Sequence, residues 1–123
     1  MKLVNKTILV TGSTDGLGLK LVLELARQQA NIIVHGRNED KTKKVIKELQ
    51  EIYPKGAHSY IVCDFNELTS IREAFGQVKK LDVLVNNAGV WVEGNTVDAE
   101  YDKIIEQIHV NLGAPILVTR TLL

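Results

Sequence analysis

One stretch, residues 7–18, restricts the possible folds of this chain more than any other. Residues 7–10 favour a β-strand, a turn with glycines at positions 12, 16 and 18 follows, and an apolar helical pattern occupies residues 17–30. This order predicts a strand, a glycine turn and a helix. Because the first N–H groups of a helix lack internal partners and lie at the positive end of its dipole, the turn is a candidate site for an anion such as phosphate.

The spacing of the glycines, Thr-Gly-x-x-x-Gly-x-Gly, is not the common dinucleotide fingerprint Gly-x-Gly-x-x-Gly. It is not a P-loop either, because that motif would have Gly in place of Leu17 and Lys directly after it. Glycine lacks the Cβ atom that would obstruct a ligand, and it permits a positive φ angle. Turns with three glycines also occur without any ligand, so ordinary turn chemistry stays an alternative when this motif is taken alone.

Length and composition restrict the class of protein. A chain of 123 residues corresponds to one domain, and we expect residues 1–123 to form it. Lys plus Arg and Asp plus Glu number 15 each, so no basic excess favours binding to nucleic acid. Cys63, the single cysteine, excludes an internal disulfide. With no signal peptide and no apolar stretch long enough to span a membrane, we expect a cytoplasmic protein.

Three further apolar runs are typical of buried β-strands, at residues 31–35, 59–63 and 81–85. Helical patterns follow them, at residues 41–53, 68–78 and from 100 towards 123. The strands are mostly apolar throughout rather than alternating, which indicates a parallel sheet covered on both faces. The sequence therefore predicts an α/β fold in which helices connect successive parallel strands.

Distinctive residues follow each of the four predicted strands. They are Gly12 to Gly18, Gly36-Arg37-Asn38, Asp64-Phe65 and Asn86 to Gly89. In open parallel sheets, ligands bind beyond the carboxyl ends of the strands. The sequence therefore predicts that these four groups lie at one edge of the sheet and form one binding site.

These residues make the chain resemble the short-chain dehydrogenases/reductases. Residues 11–18, Thr-Gly-Ser-Thr-Asp-Gly-Leu-Gly, match the family motif T-G-x-x-x-G-x-G, and residues 86–89 match its N-N-A-G. Asp64 stands where the family has an adenine-contacting Asp, and Asn111 stands where it has an active-site Asn. The resemblance covers the whole chain. It implies a partial, doubly wound Rossmann sheet of order 3-2-1-4, and an oxidoreductase that moves hydride between a nicotinamide and a small-molecule carbonyl or alcohol.

The strand-end pattern and the resemblance together give the expected site. The expected cofactor contacts are Gly12, Ser13, Thr14, Asp15, Gly16, Leu17, Gly18, Arg37, Asn38, Asp64, Phe65, Asn87, Ala88 and Gly89. By resemblance, Asn87, Ala88 and Gly89 line the adenosine ribose and the nicotinamide side, and Asn111 is the catalytic residue. As alternatives, Asp64 would cap a helix and Asn87 would be a turn residue. No metal is expected, because the histidines and Cys63 lack the spacing of metal ligands.

The residues after the second strand favour NADP(H) over NAD(H). An acidic residue there would bind the ribose 2′-hydroxyl of NAD, whereas this chain has Arg37 and no carboxylate before Glu39. An arginine can bind a 2′-phosphate through two hydrogen bonds and stack on the adenine. Asp15 opposes this choice, because a carboxylate near a 2′-phosphate is repulsive. The alternative for Arg37 is a solvated loop charge.

Pro115 predicts an interruption of the last helix. In an α-helix the N–H of residue 115 would donate to the carbonyl of Asn111, and proline has no N–H. With Gly113 weakening the same turn, we expect a kink that leaves the Asn111 carbonyl free for a water. The resemblance implies that this water belongs to a proton relay from the catalytic Lys.

The family's catalytic Tyr-x-x-x-Lys does not occur in these 123 residues. We therefore expect the cofactor-binding half of an enzyme, truncated before the catalytic segment and without catalytic competence of its own. A catalytically silent dinucleotide-binding, sensor or assembly module is the alternative. Strand four would be an open sheet edge and the last helix would lack neighbours, so we expect self-association or a homo-oligomer through these elements.

Overall fold

Four parallel strands form one sheet in the computed structural model, which describes residues 2–123. The strands are β1 (Thr7–Val10), β2 (Asn31–Gly36), β3 (Ser59–Val62) and β4 (Val83–Val85). Their order is β3-β2-β1-β4, so β3 and β4 form the two edges. The predicted parallel sheet and its strand order are confirmed. Because every pairing is parallel, all four strands end on the same side of the sheet.

Helices connect the strands and cover both faces of the sheet. They are α1 (Gly16–Arg27), α2 (Glu39–Ile52), α3 (Ile71–Phe75), α4 (Tyr101–Ile108) and α5 (Ala114–Leu122), with 3-10 turns at Leu68–Ser70 and Thr96–Asp98. The third helix is shorter than its apolar pattern predicts. It ends at Phe75 with Gly76 as its C-cap, since the Gly76 N–H donates to the carbonyl of Arg72 and residues 77–80 have no helical structure.

The side chains of β1 enter two separate core clusters. Ile8 and Val10 belong to the cluster formed with α1 and α2, whereas Leu9 belongs to the cluster formed with α3 and α5. Successive side chains of a strand point to opposite faces, so an apolar residue at every position means that both faces are covered. All three side chains are at most 2% exposed. The predicted helices on both faces of the sheet are therefore confirmed.

The last helical pattern is interrupted, as Pro115 predicts, but by a π-helical segment. This segment, His109–Gly113, separates α4 from α5, and the N–H of Ala114 donates to the carbonyl of His109, five residues back. Insertions of this kind are one of the recognised causes of helix distortion. A carbonyl of Asn111 that is free for a water stays a prediction.

One face of α4, the π segment and α5 exposes large apolar side chains. Ile105, Ile108, Leu112 and Ile116 are between 46% and 60% exposed. The open edge of β4 lies in the same half of the chain. Self-association through these elements stays a prediction. Among residues 2–123, no helix combines the length and the hydropathy needed to cross a membrane.

Candidate cofactor site

A cleft of about 560 Å³ lies where the four strands end. It is lined by all the expected cofactor contacts except Ser13, together with His35, Gly36, Lys41, Cys63, Val90 and Val110. The strand-end groups singled out in the sequence therefore meet at one place, because parallel strands bring their carboxyl ends to one side of a sheet. Asn111 follows Val110 directly but does not line the cleft itself.

The two sequence motifs are hydrogen-bonded to each other at the floor of the cleft. The side-chain amide of Asn87 donates to the carbonyls of Thr11 and Gly12, each at 3.1 Å. The Thr11 hydroxyl accepts from the backbone N–H groups of Asn87 and Ala88, each at 3.0 Å. Asn87 is thus a turn residue that fixes the glycine turn, which is the alternative considered for it, and it also lines the cleft.

Glycines are required where the turn packs most closely. Gly12 has a φ angle of +62°, and a Cβ atom on it would lie 2.8 Å from the Cα of Ala88. A Cβ atom on Gly18 would collide with the carbonyl oxygen of Gly12. Gly16 is different, because a Cβ atom there would meet nothing within 4 Å and its φ angle is +54°. The third glycine therefore lets α1 approach the turn, and Gly16 borders open space at the cleft.

The first turn of α1 presents backbone donors to the cleft. Asp15 caps the helix, and its carboxylate accepts from the N–H of Gly16 at 2.7 Å. Within residues 2–123, the N–H groups of Leu17 and Gly18 have no acceptor, and both residues line the cleft. Free N–H groups at a helix N-terminus favour an anion.

Ser13 occupies a different position from its neighbours in the turn. Its side chain is completely buried, and its hydroxyl accepts from the N–H of His35 at 3.1 Å. Its own N–H donates to the carbonyl of His35 at 2.9 Å. These bonds join the turn to β2, so Ser13 supports the wall of the cleft from behind.

The sequence analysis missed His35, which joins three strand ends. Its Nδ1 accepts from the N–H of Gly12 at 2.9 Å, and its Nε2 lies 2.9 Å from the carbonyl of Cys63. The ring stacks on Phe65 with centroids 4.2 Å apart. Burial lowers the pKa of His35 to about 4, against a smaller opposing effect of the hydrogen bond to Cys63, so the imidazole is neutral at pH 7. A histidine inside an otherwise apolar strand was the available signal.

One side of the cleft is bordered by charged residues, two of them cations without an ion pair in the described part of the chain and one a carboxylate that accepts a hydrogen bond. Arg37 and Lys41 line the cleft, and neither forms an ion pair within residues 2–123. Asp64 also lines it, but its carboxylate accepts from the N–H of Asn66 at 2.9 Å. Lys41 was not predicted from the sequence. Asn38 places it there by capping α2, since its Oδ1 accepts from the Lys41 N–H at 2.9 Å.

The side chains of Phe65 and Asn111 each contact a residue of the chain that borders the cleft. Phe65 borders the cleft but is only 5% exposed, because it packs against the rings of both His35 and Phe75. The Asn111 side chain accepts from the N–H of Val90 at 2.8 Å and donates to its carbonyl at 2.6 Å. Asn111 therefore fixes the segment that follows Gly89, and through it the nicotinamide end of the predicted site.

Comparison with known proteins agrees with this architecture. The sequence profile of the short chain dehydrogenase family matches residues 6–123. An uncharacterized oxidoreductase of Bacillus subtilis, YvaG, is 31% identical over 120 residues, which cover 98% of this chain and 46% of that protein. A human protein named inactive hydroxysteroid dehydrogenase-like protein 1 is 34% identical over 129 residues, covering 100% of this chain and 38% of that protein.

A solved structure of an enzyme also resembles this chain. The gluconate 5-dehydrogenase from Burkholderia cenocepacia in complex with NADP and tartrate is similar to 98% of this chain, with a TM-score of 0.85 and 30% identity. The match covers 48% of that enzyme. The sheet order, the helices on both faces and the cleft at the strand ends define a Rossmann-type α/β protein.

The chain belongs to the short chain dehydrogenase family, as the motifs at residues 11–18 and 86–89 predict. It spans less than half the length of each of these two relatives.

Proposed function

We propose that this chain is the cofactor-binding part of an NADP(H)-dependent oxidoreductase that transfers hydride between a nicotinamide and a carbonyl or alcohol substrate. The observation that carries the proposal is the charge distribution at the adenine side of the cleft. Arg37 and Lys41 are cations without an ionic partner within residues 2–123, and both border the same cavity. Unpaired cations at a concave site favour a ligand with a negative group such as a 2′-phosphate.

The carboxylates of the cleft oppose such a ligand less than the sequence suggests. Asp15 accepts from the N–H of Gly16, and Asp64 accepts from the N–H of Asn66. Each hydrogen bond compensates part of the charge of its carboxylate, and Asp15 also lies at the N-terminus of α1, where the helix dipole favours a negative charge. The preference for NADP(H) over NAD(H) therefore rests on Arg37 and Lys41.

The described residues also fit the rest of a dinucleotide. The open space beside Gly16 and the free N–H groups of Leu17 and Gly18 suit a pyrophosphate. Ala88 and Gly89 border the adjoining part of the cleft, where they would contact the ribose and the nicotinamide. When bound, the cofactor supplies the hydride acceptor or donor. This chain's residues bind and orient it.

Asn111 is proposed to contribute its backbone carbonyl to catalysis. Both polar atoms of its side chain bond to Val90, so that side chain is committed to holding the segment after Gly89. Asn111 lies within the π segment, and this segment and Pro115 alter the hydrogen bonding of the helix. We propose that the carbonyl holds a water in a proton relay of the complete enzyme, whose general acid or base would come from residues beyond these 123.

A titration with NADPH and NADH tests the proposal. Trp91, the only tryptophan, is 79% exposed and lies two residues after Gly89, so its fluorescence should report a bound nicotinamide. We expect saturable quenching at lower concentration for NADPH than for NADH, and loss of this preference in Arg37→Ala. Lys44→Ala, an exposed cation on α2 outside the cleft, is the matched control. A folded chain that binds neither cofactor would contradict the proposal.

A catalytically silent dinucleotide-binding module is the second candidate. The 34% identity to a human relative whose name calls it inactive favours it. The test is an activity assay on the longest reading frame that contains this sequence. Carbonyl reduction that depends on a downstream Tyr-x-x-x-Lys supports the enzyme, whereas cofactor binding without such activity supports the module.

A further inference from the structure

We propose that neutral His35 is a positioning residue of the cofactor cleft, which fixes the peptide of Gly12 and thereby the geometry of the glycine turn. The inference rests on the proposed function, because the turn matters as the phosphate-binding element. His35 acts through Gly12, and the residue is only 4% exposed. Its role is therefore to hold the wall of the cleft in place.

The hydrogen bonds define one state of the ring. The N–H of Gly12 donates to Nδ1, so Nδ1 carries no proton. The proton of the neutral ring is then on Nε2, which donates it to the carbonyl of Cys63. Both ring nitrogens are therefore used, and they join the turn after β1 to the end of β3. A second proton, on Nδ1, would place a donor against the N–H of Gly12 and a charge inside the core.

The Gly12 peptide transmits this constraint to the rest of the site. Its carbonyl accepts from Asn87, and the same oxygen is in the closest contact with the position of a Cβ atom on Gly18. A shift of Gly12 would therefore move both the first turn of α1 and the loop that contains Asn87. Interiors packed this closely pass small shifts to their neighbours.

Groups around the ring supply no charge that would fix it otherwise. The titratable residues that directly follow β3 are Cys63 and Asp64. Burial raises the pKa of the Cys63 thiol, so the thiol is neutral. From α3, the ring meets Phe75. The cleft that His35 lines also holds Asp15, Arg37 and Lys41, so with Asp64 its formal charges cancel.

His58 provides a matched control within the same chain. Its Nδ1 accepts from the N–H of Ile32 at 3.2 Å, and its Nε2 lies 3.2 Å from the carbonyl of Tyr53. The ring therefore makes the same pair of backbone contacts as His35. Ile32 is near the beginning of β2, however, so His58 lies at the end of the sheet that is opposite to the cleft.

The experiment compares His35→Asn and His35→Leu with the same two substitutions at His58. Asn keeps an acceptor near the position of Nδ1, whereas Leu has none. The readouts at pH 7.5 are the dissociation constant for NADP⁺ by calorimetry and the hydrogen-exchange rate of the Gly12 amide by NMR. We expect His35→Leu to weaken NADP⁺ binding at least tenfold and to speed Gly12 exchange at least tenfold. His35→Asn should stay within about threefold of the wild type in both.

The His58 variants should leave both readouts within twofold of the wild type, even if they lower stability. The inference would be overturned if His35→Leu had the same NADP⁺ affinity and the same Gly12 exchange rate as the wild type. It would also be overturned if His35→Leu and His58→Leu lost NADP⁺ affinity and Gly12 protection equally. A His35→Asn variant that departs from the wild type as far as His35→Leu does in either readout would also overturn it. If the wild type binds neither NADP⁺ nor NAD⁺, the proposed function fails, and Gly12 exchange still decides whether His35 fixes the turn.

Discussion

Thr11 and Asn87 are joined by two hydrogen bonds that connect the ends of β1 and β4. The N–H of Asn87 donates to the Thr11 hydroxyl at 3.0 Å, and its side-chain amide donates to the Thr11 carbonyl at 3.1 Å. The two residues are 76 positions apart in the chain and belong to different motifs. The glycine turn and the Asn-Asn-Ala-Gly loop therefore form one structural unit at the floor of the cleft.

We expect Thr11→Val to lower the free energy of unfolding by about 2–3 kcal/mol. Thr11 is 2% exposed and its hydroxyl accepts from the N–H groups of Asn87 and Ala88, so valine of similar shape would leave both donors without a partner. Urea unfolding measures the change. Thr121→Val is the control, since the Thr121 hydroxyl bonds only to the Leu117 carbonyl within the last turn of α5, and we expect it to cost less than about 0.5 kcal/mol. Equal losses in the two variants would refute the importance of the Thr11 contact.

Removal of either free cation should change the choice of cofactor. We expect Arg37→Ala and Lys41→Ala each to weaken NADP⁺ binding by about tenfold, because each would lose a charge-assisted contact with the 2′-phosphate. NAD⁺ lacks that phosphate, so its affinity should change less than about twofold. Calorimetry with both cofactors measures the ratio. A parallel loss of NADP⁺ and NAD⁺ affinity would indicate damage to the cleft instead, and Lys44→Ala should change neither.

The glycines of the turn should differ in what they tolerate. Gly18→Ala places a Cβ atom against the carbonyl of Gly12, so we expect a loss of about 1–3 kcal/mol in stability from overpacking alone. Gly16→Ala meets no atom within 4 Å, so its cost should come only from the φ angle of +54°, about 1–2 kcal/mol. Thermal unfolding ranks the two variants. Gly16→Ala should nevertheless weaken NADP⁺ binding, because its methyl group would occupy the open space beside the turn.

The buried imidazole of His35 should make the fold less stable in acid. Its pKa is lowered from 6.5 to about 4, mainly by burial, so between these values the unfolded chain binds the proton more readily than the folded chain. The contribution of His35 to the free energy of unfolding is fully present above pH 6.5. It is lost as the pH falls towards 4, by about 3 kcal/mol in total. Urea unfolding between pH 7.5 and pH 4 measures it.

The comparison with His35→Asn isolates this effect from other titrating groups. The variant has no imidazole at this position, so its stability should decrease less over the same interval. The difference between the two slopes is the contribution of His35. Identical pH profiles for the wild type and the variant would contradict the assignment.

The exposed apolar stripe of α4, the π segment and α5 should mediate self-association. Burial of such side chains removes apolar surface from water, and each can contribute about 1–2 kcal/mol. We expect sedimentation to show oligomers of the wild type at micromolar concentration and monomers of Ile108→Asp/Ile116→Asp, whose positions are 52% and 59% exposed. Val97→Asp, at a 94% exposed position outside the stripe, should leave the oligomers intact. A monomeric wild type would refute the prediction.

Local sequence alone predicted the strands, their parallel arrangement and the edge at which the site forms. Apolar residues at successive positions of β1 indicate that both faces of the sheet are covered. That inference needs only the two-residue period of a strand. Gly76 also shows the limit of that approach. The apolar pattern of α3 continues beyond the glycine, whereas the helix ends there.

The tertiary structure decided what the polar residues at the strand ends do. The sequence placed Ser13, Asn87 and Asn111 at the site, but only their partners show that Ser13 and Asn111 hold the walls and that Asn87 ties two motifs together. His35 and Lys41 had no motif to identify them. A side chain's role depends on which distant backbone groups and charges surround it, and those neighbours are fixed by how the strands and helices pack together, which the local order of residues does not specify.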